Sequence, residues 1–85
     1  MKLRVWWIPQ VGMGKSFYVG VENESQADLL LNALADYDLF QLENQIKPDY
    51  CNVGGLQMLK DGSWVDWIND GGEDFDEYRS RIHST

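Results

Sequence analysis

Residues Gly54-Gly55-Leu56-Gln57-Met58-Leu59-Lys60-Asp61-Gly62-Ser63-Trp64-Val65-Asp66-Trp67-Ile68 decide the fold. Two apolar runs, 56–59 and 64–68, flank Asp61-Gly62. Asp-Gly in that setting is the strongest short-range signal for a β-hairpin. A two-residue turn sets Leu59 opposite Trp64, Met58 opposite Val65 and Leu56 opposite Trp67. Alternation then puts Leu56, Met58, Val65 and Trp67 on one face, and Leu59, Trp64 and Ile68 on the other.

Toward the N-terminus, residues 2–8 alternate as a strand, with Leu3, Val5 and Trp7 on one face and Lys2, Arg4 and Trp6 on the other, and Pro9 closes it. Residues 17–21 form a second strand, Phe17, Val19 and Val21 facing one way and Tyr18 the other, after a loop containing Gly12 and Gly14. The period then changes. Ser25 with Asp28 three residues on resembles a capping box, and Ala27, Leu30, Leu31 and Leu34 follow at helical spacing to about Ala35 or Asp38. Residues 36–55 hold neither period and read as a long structured loop with a short strand near 39–42. After Asp70, a helical turn or more is expected over 75–82. The order β-β-α-loop-β-β predicts a single α+β domain over residues 1–85, a small antiparallel sheet with one main helix on one face.

A chain of 85 residues buries only about two-thirds of its unfolded surface, so its core must be aromatic-rich or shared with a partner. Four Trp, four Tyr and three Phe supply the rings. No segment approaches the roughly 18 unbroken apolar residues of a membrane span, and no signal-peptide pattern opens the chain. A cytoplasmic protein is therefore expected. The lone Cys51 can close no internal disulfide, and neither it nor the lone His83 has the companions of a zinc site.

The net charge is −7, unevenly spread. Asp61, Asp66, Asp70, Glu73, Asp74, Asp76 and Glu77 form an acidic surface with no base among them. Such a run repels phosphates and favours basic partners, including proteins that bind nucleic acid themselves, although solubility alone also accounts for it.

Two motifs invite chemistry that their surroundings refuse. Pro9-Gln10-Val11-Gly12-Met13-Gly14-Lys15-Ser16 ends like a phosphate-binding loop, but Pro stands where Gly is needed and a strand follows where a helix must start. Asp66, Asp70, Gly71, Asp74 and Glu77 match an EF-hand loop, but its third position is Ile68, which offers no oxygen, and a strand enters it. No Ser, Cys or His sits where a nucleophile and base could meet, so neither catalysis nor a cofactor or metal is expected.

One helix covers only one face of the sheet, so Trp6, Tyr18 and Trp64 are candidates to line the other. Exposed Trp and Tyr are costly unless something buries them, and both are enriched at binding hot spots. A covering loop, the C-terminal segment or a homodimer would each bury them as well.

Four stretches carry a resemblance over nearly the whole chain: Val5-Trp6-Trp7-Ile8-Pro9-Gln10-Val11; Leu34-Ala35-Asp36-Tyr37-Asp38-Leu39-Phe40; Asn44-Gln45-Ile46-Lys47-Pro48-Asp49-Tyr50-Cys51-Asn52 with Gly54-Gly55-Leu56; and Asp61-Gly62-Ser63-Trp64-Val65-Asp66-Trp67. Together they resemble a family of short phage and prophage proteins labelled superinfection-exclusion proteins. The label is a phenotype, so no catalytic residue carries over. The resemblance implies a virus-derived accessory protein working in the bacterial cytoplasm.

Together these readings predict a non-enzymatic protein that binds and blocks a bacterial or rival-phage protein. Its expected contacts are Tyr37, Asp38, Phe40, Lys47, Asp49, Tyr50 and Asn52 of the long loop, with Trp6, Tyr18 and Trp64 of the sheet. The alternative is an acidic anti-defence inhibitor, imitating nucleic acid in the groove of a nuclease or CRISPR effector. Direct binding of single-stranded nucleic acid on Trp6, Tyr18 and Trp64 beside Lys2 and Arg4 is opposed by the net charge.

Overall fold

The computed structural model describes residues 2–9, 15–46 and 53–84. The loop at Gly12 and Gly14, and the expected contacts Lys47, Asp49, Tyr50 and Asn52, lie outside the described residues. The elements run β1 (Leu3–Ile8), β2 (Phe17–Val21), α1 (Glu24–Glu43), β3 (Val53–Lys60), β4 (Ser63–Asp66) and α2 (Phe75–Ile82). The strands form one antiparallel sheet in the order β2-β1-β3-β4. This is the α+β fold the sequence predicts.

The β3–β4 hairpin takes the expected register, Leu59 opposite Trp64 and Met58 opposite Val65. Asp61 and Gly62 have φ of 52° and 80°, the two positive values a type I′ turn requires. Trp67 lies past the end of β4 but stays in register, its N–H donating to the Leu56 carbonyl at 3.1 Å. β3 begins at Val53, earlier than the apolar run suggests, because Val53, Gly54 and Gly55 pair with Ile8, Trp7 and Trp6 of β1.

Leu3, Val5 and Trp7 of β1 are buried with Ala27 and Leu31 of α1, Leu56 of β3, Trp67, and Phe75 of α2. Trp67 meets Phe75 and Tyr78 edge-on, with ring centroids 5.8 and 5.7 Å apart. Both helices therefore share the inner face of the sheet. Gly54 permits the approach of α1: a Cβ there would lie 2.5 Å from Trp7 Cε3 and 2.9 Å from Leu31 Cδ2.

Three local expectations are corrected. First, α1 is capped by Asn23, whose Oδ1 accepts from the Gln26 N–H at 2.9 Å, while Gln26 Oε1 accepts from the Glu22 N–H at 2.8 Å. Asn23 and Gln26 satisfy the free donors two residues earlier than Ser25 and Asp28 could, and Ser25 sits inside the helix.

Second, 36–43 is helix and not loop, and there is no strand at 39–42: α1 continues to Glu43. The stretch contains no Gly or Pro to stop it. It ends where the Asn44 side chain donates to the Phe40 carbonyl at 2.8 Å and Gln45 turns to φ 59°. Third, Asp38 is buried, at 3 % exposure, in line with Ala27, Leu31 and Leu34. A carboxylate at that inward position interrupts the apolar period that would otherwise announce the helix.

Candidate functional site

Alternation in the sheet puts Arg4 and Trp6 of β1, with Lys2 just before it, Tyr18 of β2, Gln57 of β3 and Trp64 of β4 on the face away from both helices. The sequence places three of these aromatics there, and the structure organises them around a residue it had treated as flanking. The Arg4 guanidinium carbon lies 4.0 Å from the centre of the Tyr18 ring and 4.2 Å from that of Trp64.

The arginine is clamped between rings from the two outer strands, and its Nε donates to Gln57 Oε1 at 2.8 Å. Arg4 and Gln57 face each other directly across β1 and β3, which fixes this bond. Gly20 stands beside Arg4 on β2 and has no side chain, so the arginine can lean toward Tyr18. Lys2, Arg4, Tyr18, Gly20, Glu22 and Trp64 line a shallow concavity of about 390 Å³.

Trp6 uses a second glycine in the same way. Its indole lies over Gly55, where a Cβ would come within 2.7 Å of Nε1. Tyr18 is 49 % exposed, whereas Trp6 and Trp64 are half-buried at their edges. The face thus presents aromatic rings around a fixed cation, whose guanidinium N–H groups other than Nε are left to donate. That combination suits a partner bringing apolar surface together with carbonyl or carboxylate oxygens.

The expected loop contacts fare differently. Tyr37 and Phe40 are exposed on the outer side of α1, one helical turn apart, and stack on each other at 6.3 Å. Asp38 faces inward between them and offers no exposed side chain.

Three of the seven residues of the acidic segment, Glu73, Asp74 and Glu77, are engaged within the chain. Asp74 caps α2, accepting from the Glu77 N–H at 2.8 Å, and Glu77 accepts from the Asp74 N–H at 3.1 Å. Glu73 accepts from Arg81 at 2.9 and 3.0 Å and from Asn69 at 2.9 Å. The Arg81 hydrogen bond outweighs desolvation and holds the Glu73 carboxyl below its ordinary value. Asp61 lies in the hairpin turn, Asp66 opposite Gln57, and Asp70 and Asp76 point to solvent.

A second carboxylate joins the helices. Asp28 of α1 accepts from Arg79 Nε at 2.7 Å and lies 3.0 Å from His83 Nε2. Burial works to raise the Asp28 carboxyl, but the hydrogen bonds from His83 and Arg79 prevail and hold it below its ordinary 3.8. Lys15 and Ser16 lead into β2 and not into a helix, which leaves the phosphate-loop ending without its anion-binding terminus. Among the described residues, no three His, Cys, Asp or Glu side chains converge as a metal site requires, and no helix is long and apolar enough to cross a membrane.

Residues 2–84 match the family described as superinfection exclusion gene product 17. The chain belongs to that family. A superinfection exclusion protein of Salmonella phage P22 is 47 % identical, the alignment covering 82 % of this chain and 80 % of that protein. No solved structure matches. Family membership thus agrees with the resemblance read from Val5-Trp6-Trp7-Ile8 and Asp61-Gly62-Ser63-Trp64. The arginine clamp described above belongs to a member of a superinfection exclusion family.

Proposed function

We propose that this chain acts in superinfection exclusion as a non-enzymatic docking protein of the bacterial cytoplasm, holding a host or rival-phage protein so that a second infection fails. The observation that carries the reading is the Tyr18–Arg4–Trp64 stack on a sheet face that neither helix covers. Trp, Tyr and Arg are the residue types that dominate binding hot spots. Here they are held in place before any partner arrives, which lowers the ordering cost of association.

Trp6 extends this surface, and Tyr37 and Phe40 form a second contact on α1. Lys47, Asp49, Tyr50 and Asn52 complete the contact set as the sequence predicts it. Asp38 is dropped from it because it is buried.

The nucleic-acid-mimic alternative keeps the exposed Asp61, Asp66, Asp70 and Asp76 but finds the rest of its acidic set engaged. Glu73, Asp74 and Glu77 already serve Arg81, Asn69 and the first turn of α2.

The test is a phage challenge of cells expressing the chain, scored by plating efficiency, with capture of bound proteins from the same cells. Tyr18→Ala and Trp64→Ala are expected to keep the wild-type circular dichroism spectrum. Each should weaken partner capture by about 2 kcal/mol, roughly 30-fold, and lower exclusion. Full exclusion by a folded Tyr18→Ala/Trp64→Ala double variant would rule this face out.

A further inference from the structure

We infer that the outer edge of β2, unpaired among the described residues, pairs with the β2 edge of a second copy of this chain, antiparallel and two-fold about Val19. β2 is an outer strand of the sheet, bonded on one side to β1. The Leu59 N–H donates to the Lys2 carbonyl at 2.9 Å, so the even-numbered residues of β1 bond toward β3 and the odd-numbered ones toward β2. Val19 and Val21 lie opposite Val5 and Leu3. By alternation, Tyr18 and Gly20 turn their N–H and C=O groups to the open edge.

Natural edge strands are guarded by charges, proline or bulges. Phe17-Tyr18-Val19-Gly20-Val21 has no charge and no proline, and its register with β1 is unbroken. Phe17 and Tyr18 stand 54 % and 49 % exposed on opposite faces of this strand.

The side chains of the strand complement themselves. With the two-fold axis at Val19, Tyr18 lies opposite the partner's Gly20, and Phe17 opposite the partner's Val21. Among the described residues, no atom lies within 4 Å of the Cβ position at Gly20, so a partner side chain meets nothing there. The chain already uses this pairing internally, where the Trp6 indole covers Gly55.

Charge selects both the occupant and its direction. Lys15 precedes the strand, while Glu22 and Glu24 follow it. Antiparallel pairing brings each Lys15 to the partner's Glu22 and Glu24, whereas parallel pairing would set like charges together. A five-residue edge pairing is smaller than the standard interface of about 1,600 Å², so the dimer is reversible and forms with rising concentration.

Sedimentation velocity of the full chain over a wide micromolar range tests this. The average mass is expected to rise from the 9.8 kDa of one chain toward twice that value. Gly20→Glu places its Cβ in open space within one chain but crowds the lean of Arg4 toward Tyr18, so the chain still folds and its thermal melt falls by no more than that of Arg4→Ala, the control for the clamp. In the dimer it lies opposite the partner's Tyr18 and sets a buried carboxylate into the paired edge, raising the dissociation constant by about tenfold or more.

Lys15→Glu weakens the dimer as well, and adding Glu22→Lys with Glu24→Lys restores it. A single 9.8 kDa species at every concentration overturns the inference, and so does a dimer that Gly20→Glu leaves at full strength. The docking reading is scored by exclusion and capture, so the two proposals fail separately.

Discussion

Two adjacent glycines on β3 serve opposite faces of the sheet. Gly54 lets Trp7 and Leu31 meet beneath it, and Gly55 lets Trp6 lie flat above it. Gly54→Ala would force a methyl to 2.5 Å from Trp7 Cε3, within the shared core of sheet and helix. We expect a loss of about 1–3 kcal/mol, read as a lower urea midpoint with an unchanged slope. The Arg4 clamp behaves differently because it lies at a partly solvated surface. Arg4→Ala should cost only about 1–2 kcal/mol of stability, since its two exposed cation–π contacts contribute about 0.5–1 kcal/mol each. The same variant should abolish partner capture, and a loss of capture no larger than the loss of fold would contradict a docking role.

At the scale of elements, α2 depends on its first turn. It is short, and isolated helices of such length are marginal in water, so its cap and its packing must hold it. Asp74→Ala removes the acceptor for the Glu77 N–H and should cost about 1 kcal/mol, seen as a lower melting temperature. The tie between the helices adds a pH dependence. Asp28 has a lowered folded-state pKa, so the anion is favoured in the native chain. The resulting stability is present above the unfolded-state value and is lost as pH falls through the folded one. Thermal melts should therefore decline on acidification below the ordinary Asp value of 3.8. Asp28→Asn should flatten that decline while lowering stability at neutral pH, because Arg79 then lacks its carboxylate.

Across the whole molecule, charge and aromatic surface overlap only at the margins. The acidic residues of the hairpin-to-helix segment cap, bridge and solvate, while the face opposite the helices holds Lys2 and Arg4 among rings, with Asp66 and Glu22 at its margin. Docking through such a face should depend weakly on ionic strength, because buried apolar contact is not screened. Partner capture is expected to survive an increase in salt from about 0.1 to 0.5 M, where the Debye length shrinks to a few Å. Loss of capture over that range would instead point to the charged rim.

The elements governed by short-range rules were legible in the chain. Asp61-Gly62 forced a type I′ turn, and strict alternation set the faces of β1, β2 and the hairpin before any packing was known. The α+β architecture and the family resemblance followed from the same stretches. The length of α1 escaped because Asp38 occupies an inward position, and a polar residue there erases the period by which a helix is recognised. The landing of both helices on one face, and the closure of Tyr18 and Trp64 around Arg4, were decided only in three dimensions. Those rings come from the two outer strands, and their meeting depends on strand order and on the absent side chain at Gly20, neither of which a local pattern encodes.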